Sequence, residues 1–446
     1  MQSSDFKKVF ELLLKESDLA DHGQIPREIA LFRQTNAKRF FELELPHRKT
    51  ETWRFTDITP LTRTSFSTRL SVHDDLISPQ DISGFLYQNG DFTNWVFVNG
   101  RWSSRLSQDT SCFGVQVSDL HTAIQNSNGM FARHILNAEN GTENVFSALN
   151  NALLQDGVYI HVPRGTKNAS IVHVLFVTTD QEHPSAQHPH NIINVEDGAE
   201  LTLIISFVHM GKATPHFSNV RTDFHIANNA KVTYVKVISD NNGGFHLDSS
   251  HVRIGASSSF DAFSATLSGK IVRNETHVQL KAENSTCSLN GLYLAADEQL
   301  VDNFCSIRHG APSCQSWIGY KGVLQDKSRG VFLGKIHVER DAQKTDSKQL
   351  NNNLLLSDRA FVHTRPQLEI YADDVKCTHG ATVGQPPDEL VFYFRSRGIS
   401  PETAKGILTY GFAKEAIDKV SCPAVQERLE KYILERFLGK TMGKEE

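Results

Sequence analysis

The stretch YADDVKCTHGATVG, residues 371–384, sets a thiol and an imidazole one residue apart, Cys377 and His379, after Asp373 and Asp374 and before Gly380. If 375–379 is a strand, its period of two puts Val375, Cys377 and His379 on one face and Lys376 and Thr378 on the other. A thiolate beside an imidazole suits iron or zinc, and two donors leave room for two more from a facing surface. The same pair would also serve as a catalytic couple, or as two ordinary residues of a packed strand. The residue types alone leave all three readings open.

The remaining chemistry-bearing side chains carry less. His183, His188 and His190 gather between prolines in EHPSAQHPHN. Nothing there fixes a ligand geometry, so the segment reads as a solvated proline-rich turn rather than a metal loop. Cys287, Cys305 and Cys314 fall in strand-like stretches and read as buried structural thiols, because free cysteine packs as a small hydrophobe. With Cys112 and Cys422 the six cysteines are scattered and form no CxxC pair. That excludes a dense disulfide framework and a self-contained zinc site. There is no phosphate loop, no GxGxxG after a strand, no GxSxG elbow and no HExxH, so no ATPase, dehydrogenase or hydrolase signature is present.

The elements that must position Cys377 and His379 follow from the pattern around them. A chain of 446 residues, 39% of them hydrophobic, has material for two or three packed units. Residues 1–90 read as a helical region: FKKVFELLLKES and REIALFRQTNAKRFFELEL repeat apolar residues at three- and four-residue steps, with Pro26 placed to open the second helix. The island KTETWRFTDITPL follows at 49–61. From 91 to 385 the helical period gives way to short strands rich in Val, Ile, Phe and Thr, such as IVHVLFVTT and NIINVEDGAELTLIISFV.

Small polar turns recur before Leu201, Val232, Phe260, Cys287, Cys314 and Phe361, and the first five of these landmarks are 31, 28, 27 and 27 residues apart. A repeat of that length with little helix in it predicts a β-solenoid, in which each coil covers the apolar face of the one beneath. A β-sandwich would show turns at shorter spacing and no longer period. The corners use Gly, Asn and Ser, which tolerate positive φ.

Residues 386–446 return to helix: Asp388 as a cap, a short helix ended by Gly398, Ser400 as N-cap with Pro401 at the first helical position, and a last helix in AVQERLEKYILERFL. Such a tail either covers the open strand edges at a solenoid end or presents a docking surface.

The formal charge of −5 comes from 46 basic and 51 acidic residues without a basic block, so nucleic acid is not an expected partner. LTLIISFV at 201–208 is the longest apolar run, far too short to span a bilayer. The opening MQSSDFKKVFELLLKESDLA interrupts its leucines with charges, unlike a signal peptide. A cytoplasmic protein without membrane contact is expected.

The block TRPQLEIYADDVKCTHGATVGQPPDELVFYFRSRGIS strongly resembles the signature of the SufB/SufD family, the scaffold subunits of the SUF iron–sulfur cluster assembly machinery. ETWRFTDITPL and LVDNFCSIRHGAPSCQSWIGYKGVLQDKSRGVFLGKIHVERDAQKTDSKQLNNNLLLSDRA support the resemblance. Within the family the residues favour the SufD branch. Asn351 and Asn352 stand where SufB carries a cysteine, and Gly380 stands where SufB has a Glu after the histidine.

The resemblance implies a right-handed parallel β-helix core flanked by N-terminal and C-terminal helical domains. It implies a non-catalytic scaffold that pairs with SufB through the β-helix and docks the SufC ABC-type ATPase on its C-terminal helices; a stand-alone homodimer that uses its β-helix ends for assembly is a rival to that pairing. It makes His379 an interface ligand of a transient iron–sulfur cluster or iron, opposite a cysteine of SufB, with Cys377 as its neighbour. Flavin accompanies the complex in some family members, but this sequence holds no flavin motif. A β-helix carbohydrate-active enzyme of the polysaccharide lyase kind is the rival reading. Such enzymes are usually exported.

Overall fold

The computed structural model describes residues 6–11, 14, 25–67, 75, 77–87, 92–107, 113–126, 144–154, 157–167, 170–212 and 214–442. Cys112 and residues 12, 13 and 15–17 of the first expected helix lie outside them. Strands run from Phe92 to Gly384 and form two sheets of ten strands each. From Glu200 onward successive strands fall alternately in one sheet and the other, and each pairs in parallel with the strand one coil ahead. The result is a parallel β-solenoid of about 8 turns, flanked by helices at both ends of the sequence.

The register explains the repeat read from the sequence. Leu201 is the Cα partner of Val232, Val232 of Phe260, and Phe260 of Cys287, so four landmarks form one column through four coils. The column continues through Ser316 and Ser347 to Cys377. Cys314 sits two residues before its column, and Phe361 belongs to the other sheet. Coil length varies from 27 to 31 residues in this sheet because the corners, not the strands, absorb the difference. Asn229, Ser257, Asn284, Ser313 and Lys344 hold positive φ at these corners, as do Asp297 and Asp326 at the opposite ones. Asn, Asp and Ser there satisfy their own backbone groups at modest steric cost.

The two ends of the solenoid differ. At the first coil, Arg101–Trp102 pairs antiparallel with Phe92–Val98 and Gln116–Asp119 with Val158–Val162, which closes both sheets. Helices Leu120–Asn126 and Val145–Ala152 lie beside this end, inside a region the sequence reads as strand. All eight residues of Val145–Ala152 are buried, so no polar face marks its period, while Asn144 caps it through the amides of Phe146 and Ser147.

At the last coil the strands Phe361–Ile370 and Val375–Gly384 end their sheets. The C-terminal helices Asp388–Arg395, Pro401–Ile417 and Pro423–Met442 do not cover these edges as one sequence reading has it. The last two fold back on the outer face of the first sheet. Ala413, Ile417, Val425, Leu429 and Ile433 pack on Ile204, Val235, Phe263, Leu292 and Val323. Arg428 fastens this unit by donating to the carbonyls of Phe85 and Leu86 at 2.6 and 2.5 Å. The last two helices touch at Gly406, where a Cβ would stand 2.5 Å from the Phe437 carbonyl oxygen. Ser400 and Pro401 take their expected capping places, with the Ser400 hydroxyl accepting from the Thr403 amide. Asp388 is not the cap of its helix. Pro387 precedes it, and Asp388 lies in the first turn, where its charge favours the helix dipole.

The N-terminal region lies on the outer face of the second sheet, and the ETWRFTDITPL island is its anchor. The Arg273 guanidinium lies 3.9 Å over the Trp53 ring, Thr56 donates to Asp302, and the Phe55 ring stacks on His363 at 3.7 Å. Arg273 is itself buried between Glu275 and Asp302. Burial opposes the Glu275 charge, but Arg273 outweighs it and holds the carboxyl down to about 2.

Candidate functional site

Cys377 and His379 do share a face, because Val375–Gly384 is a strand. Their columns face the solenoid interior. Cys377 stands beyond Ser347, and His379 beyond Gln349, Ile318 and Leu289. In the earlier coils these columns belong to the core, buried apart from the half-buried Ala262, whereas the last coil has no successor. Position in the fold, not residue type, turns two core-facing positions into an exposed rim.

The two residues differ in what surrounds them. Cys377 is half-buried and packs on the main core. Burial pushes its thiol up, Asp346 on the adjoining strand adds to that, and a backbone hydrogen bond from Ser347 works against it. At neutral pH it is therefore mostly thiol, a weaker nucleophile and metal ligand than the thiolate. His379 is exposed, and its imidazole has no hydrogen-bond or ion-pair partner among the described residues. Beneath it, Gln349 donates to the Gln367 carbonyl at 3.2 Å while its own side-chain oxygen is buried without a donor. The facing strand brings Thr364 to the same rim, with its hydroxyl buried and unpaired. The sequence reading missed Gln349 and Thr364; the signal available was their offset of one coil from His379 and from Phe332.

Among the described residues no three His, Cys, Asp or Glu side chains are arranged to hold a metal ion. Tetrahedral metal sites and iron–sulfur clusters take about four donors, and Cys377 and His379 could supply no more than two of them.

The other expected candidates resolve differently. Cys287, Cys305 and Cys314 are buried free thiols, and burial pushes Cys305 up to about 12, as expected for inert core cysteines. The solvated-turn reading of EHPSAQHPHN fails for two of its three histidines. His188 and His190 are buried in the second sheet, and only His183 is exposed. His190 meets Asp223 at 2.8 Å, which Arg221 also engages, and His188 meets Asn219. Pro184 and Pro189 stand just before the short strands Ser185–Gln187 and His190–Val195, and the neighbouring coil supplies the partners that make burial affordable.

Around the rim, the strands Phe361–Ile370 and Val375–Gly384 present ten residues each, with Phe361, Ile370, Tyr371 and Val383 exposed. Among the described residues no further strand pairs with these ten-residue edges, and open edges of that kind are able to accept one. A second apolar exposure lies on the helix Asp388–Arg395, where Leu390, Phe392 and Tyr393 face outward.

No described helix is long and apolar enough to cross a membrane. Residues 176–412 match the SufBD core domain of the SUF system for FeS cluster assembly, and residues 6–174 match the SufBD protein N-terminal region. The chain is 33% identical to the iron–sulfur cluster assembly protein SufD of Escherichia coli, over 91% of this chain and 92% of the relative. It is 29% identical to an iron–sulfur cluster assembly SufBD family protein of Synechocystis, over 89% and 88% of the two chains. It is 28% identical to the chloroplastic protein ABCI7 of Arabidopsis thaliana, over 96% and 91%. These matches span the solenoid, its exposed rim and the N-terminal anchor together, and the chain belongs to the SufBD family of the SUF system for iron–sulfur cluster assembly, on the side of SufD.

Proposed function

We propose that this chain is a scaffold subunit of a cytoplasmic SUF complex, with no reaction of its own. It pairs with a SufB subunit through the open end of the β-helix, and iron or a nascent iron–sulfur cluster is the cargo held there. His379 is the ligand this chain contributes, and Cys377 is its half-buried neighbour. The observation that carries the reading is the uncovered terminal strand Val375–Gly384, which exposes an unpartnered imidazole on an edge able to pair. Apolar side chains at the same end of the solenoid supply area for a partner, with Phe361 52% and Tyr371 61% exposed.

The physical chemistry of delivery favours a divided site. A cluster made for transfer is better held by few, labile donors than by four thiolates of one chain. Donors split across an interface separate when the subunits move, so a conformational change elsewhere releases the cargo. The C-terminal helices are the docking place for the SufC ATPase in this reading, supported by the outward Leu390, Phe392 and Tyr393. Family membership favours this scaffold over the carbohydrate-active reading. Alone, the chain is expected to pair with a second copy through the same edge.

Anaerobic co-expression with SufB and SufC tests the proposal. An iron-bearing complex of the three chains is the expected product. A chain that purifies without partners and without iron under those conditions contradicts it.

A further inference from the structure

The N-terminal region covers only part of the outer face of the second sheet, around Arg273, Glu275 and Asp302. Beyond it, two outward columns continue: His251, the buried His277, Ser306 and Lys335 in one, Arg253, Gln279, Arg308 and His337 in the other. With Lys281 and Glu339 at the corner they line an open groove of about 640 Å³.

The groove holds more positive charge than it neutralises. Arg308 meets Glu339 at 2.5 Å, and Lys335 and His337 share Glu369 at 2.8 and 3.1 Å. Arg253 and Lys281 have no ion pair among the described residues, though they lie close enough to repel each other. The Lys281 ammonium is held below its usual range by burial and then by Arg253 and Arg308. The first column includes the stacked rings of His251 and His277, 5.0 Å apart and 16° from parallel. Unpaired cations converging on a concave surface are the arrangement that phosphate oxygens satisfy.

We propose that this groove binds a small ligand carrying a di- or triphosphate, with Arg253, Lys281 and Arg308 around its phosphates. The site is separate from the rim of His379 and does not depend on the cluster reading. The dimensions favour a small molecule over a polymer. Three rung steps separate Arg253 from Lys335, about 14 Å at the spacing of paired strands. The volume falls within the range of small-molecule sites. No basic track continues from it in a chain of net charge −5.

Isothermal titration of inorganic pyrophosphate into the full chain tests the proposal. One site per chain is expected, weakened about tenfold or more by Lys281→Gln and again by Arg253→Gln, as loss of a charge-assisted hydrogen bond requires. Lys281 is exposed, so that variant folds irrespective of the half-buried Arg253. Lys167→Gln, at an exposed pair with Glu200, leaves binding unchanged. Three results each overturn the proposal: no binding up to about 5 mM pyrophosphate, a weak limit even for small ligands; equal binding by the Lys281→Gln chain; or tighter binding of a short DNA duplex than of pyrophosphate.

Discussion

His379 stands in register with Gln349 of the preceding coil and has no strand beyond it. The same column is closed core at Leu289 and Ile318. The step from buried to exposed thus occurs within one coil, with no change in backbone geometry. What a partner would find at this end is an unfinished sheet, already in register, with a free imidazole on its last rung.

If that edge is the pairing surface, a charge on it should act on assembly and not on the fold. Val383 is 46% exposed on the terminal strand. Val383→Lys is expected to change the stability of the isolated chain by no more than about 0.5 kcal/mol, as surface substitutions do. Lysine on an open edge discourages strand addition, so capture of SufB should fall about tenfold or more. Urea unfolding and quantitative co-purification measure the two effects.

The N-terminal anchor makes the opposite prediction. Trp53 is 4% exposed and lies between the Arg273 guanidinium and the Phe146 ring. Trp53→Ala leaves a cavity and uncovers a buried ion network, and should cost about 3–5 kcal/mol in urea unfolding. No loss of partner affinity is expected once the protein is folded.

Acid should destabilise the chain well above the carboxylate range. Burial pushes His173 and His188 down to about 3 and His246 and His309 down to about 4. In the unfolded chain these imidazoles titrate near their usual 6.5. Between about pH 6.5 and 4 the unfolded state therefore binds more protons, and stability falls as pH falls. Each imidazole contributes up to about 1.4 kcal/mol per pH unit in that window. Unfolding midpoints measured from pH 7.5 to 4.5 should decline steadily, and a flat profile would show that these histidines are not buried neutral.

The solenoid was legible because its inward columns repeat: Leu201, Val232, Phe260 and Cys287 were read as landmarks and are consecutive Cα partners. The match slipped at Cys314 and Phe361, since composition marks a corner but does not say which of two sheets follows it. The shared face of Cys377 and His379 was legible from strand periodicity, whereas their exposure was not. It depends on where the C-terminal helices go, and those helices pack on Ile204, Val235 and Phe263, far away in sequence. His188 and His190 were misread because their partners Asn219 and Asp223 lie one coil ahead. The basic groove was invisible for the same reason. Arg253, Lys281, Arg308 and Lys335 are separated by nearly a full coil each and never form a basic run.

Cys377 and His379 should be separable. With its thiol pushed up and packed on the core, Cys377 is expected to act chiefly through packing. Cys377→Ser is expected to keep most of the iron of the purified complex and to cost about 1 kcal/mol of stability, in the ordinary range for a half-buried substitution. Loss of iron equal to that of a His379 variant would make the thiol a ligand of equal standing.

The most direct measurement is the iron content of the three-chain complex, purified anaerobically with wild-type chain and with His379→Ala. The account predicts an intact His379→Ala complex of unchanged stoichiometry that has lost most of its iron and fails to support cluster assembly. A His379→Ala complex with full iron and normal cluster assembly would contradict it.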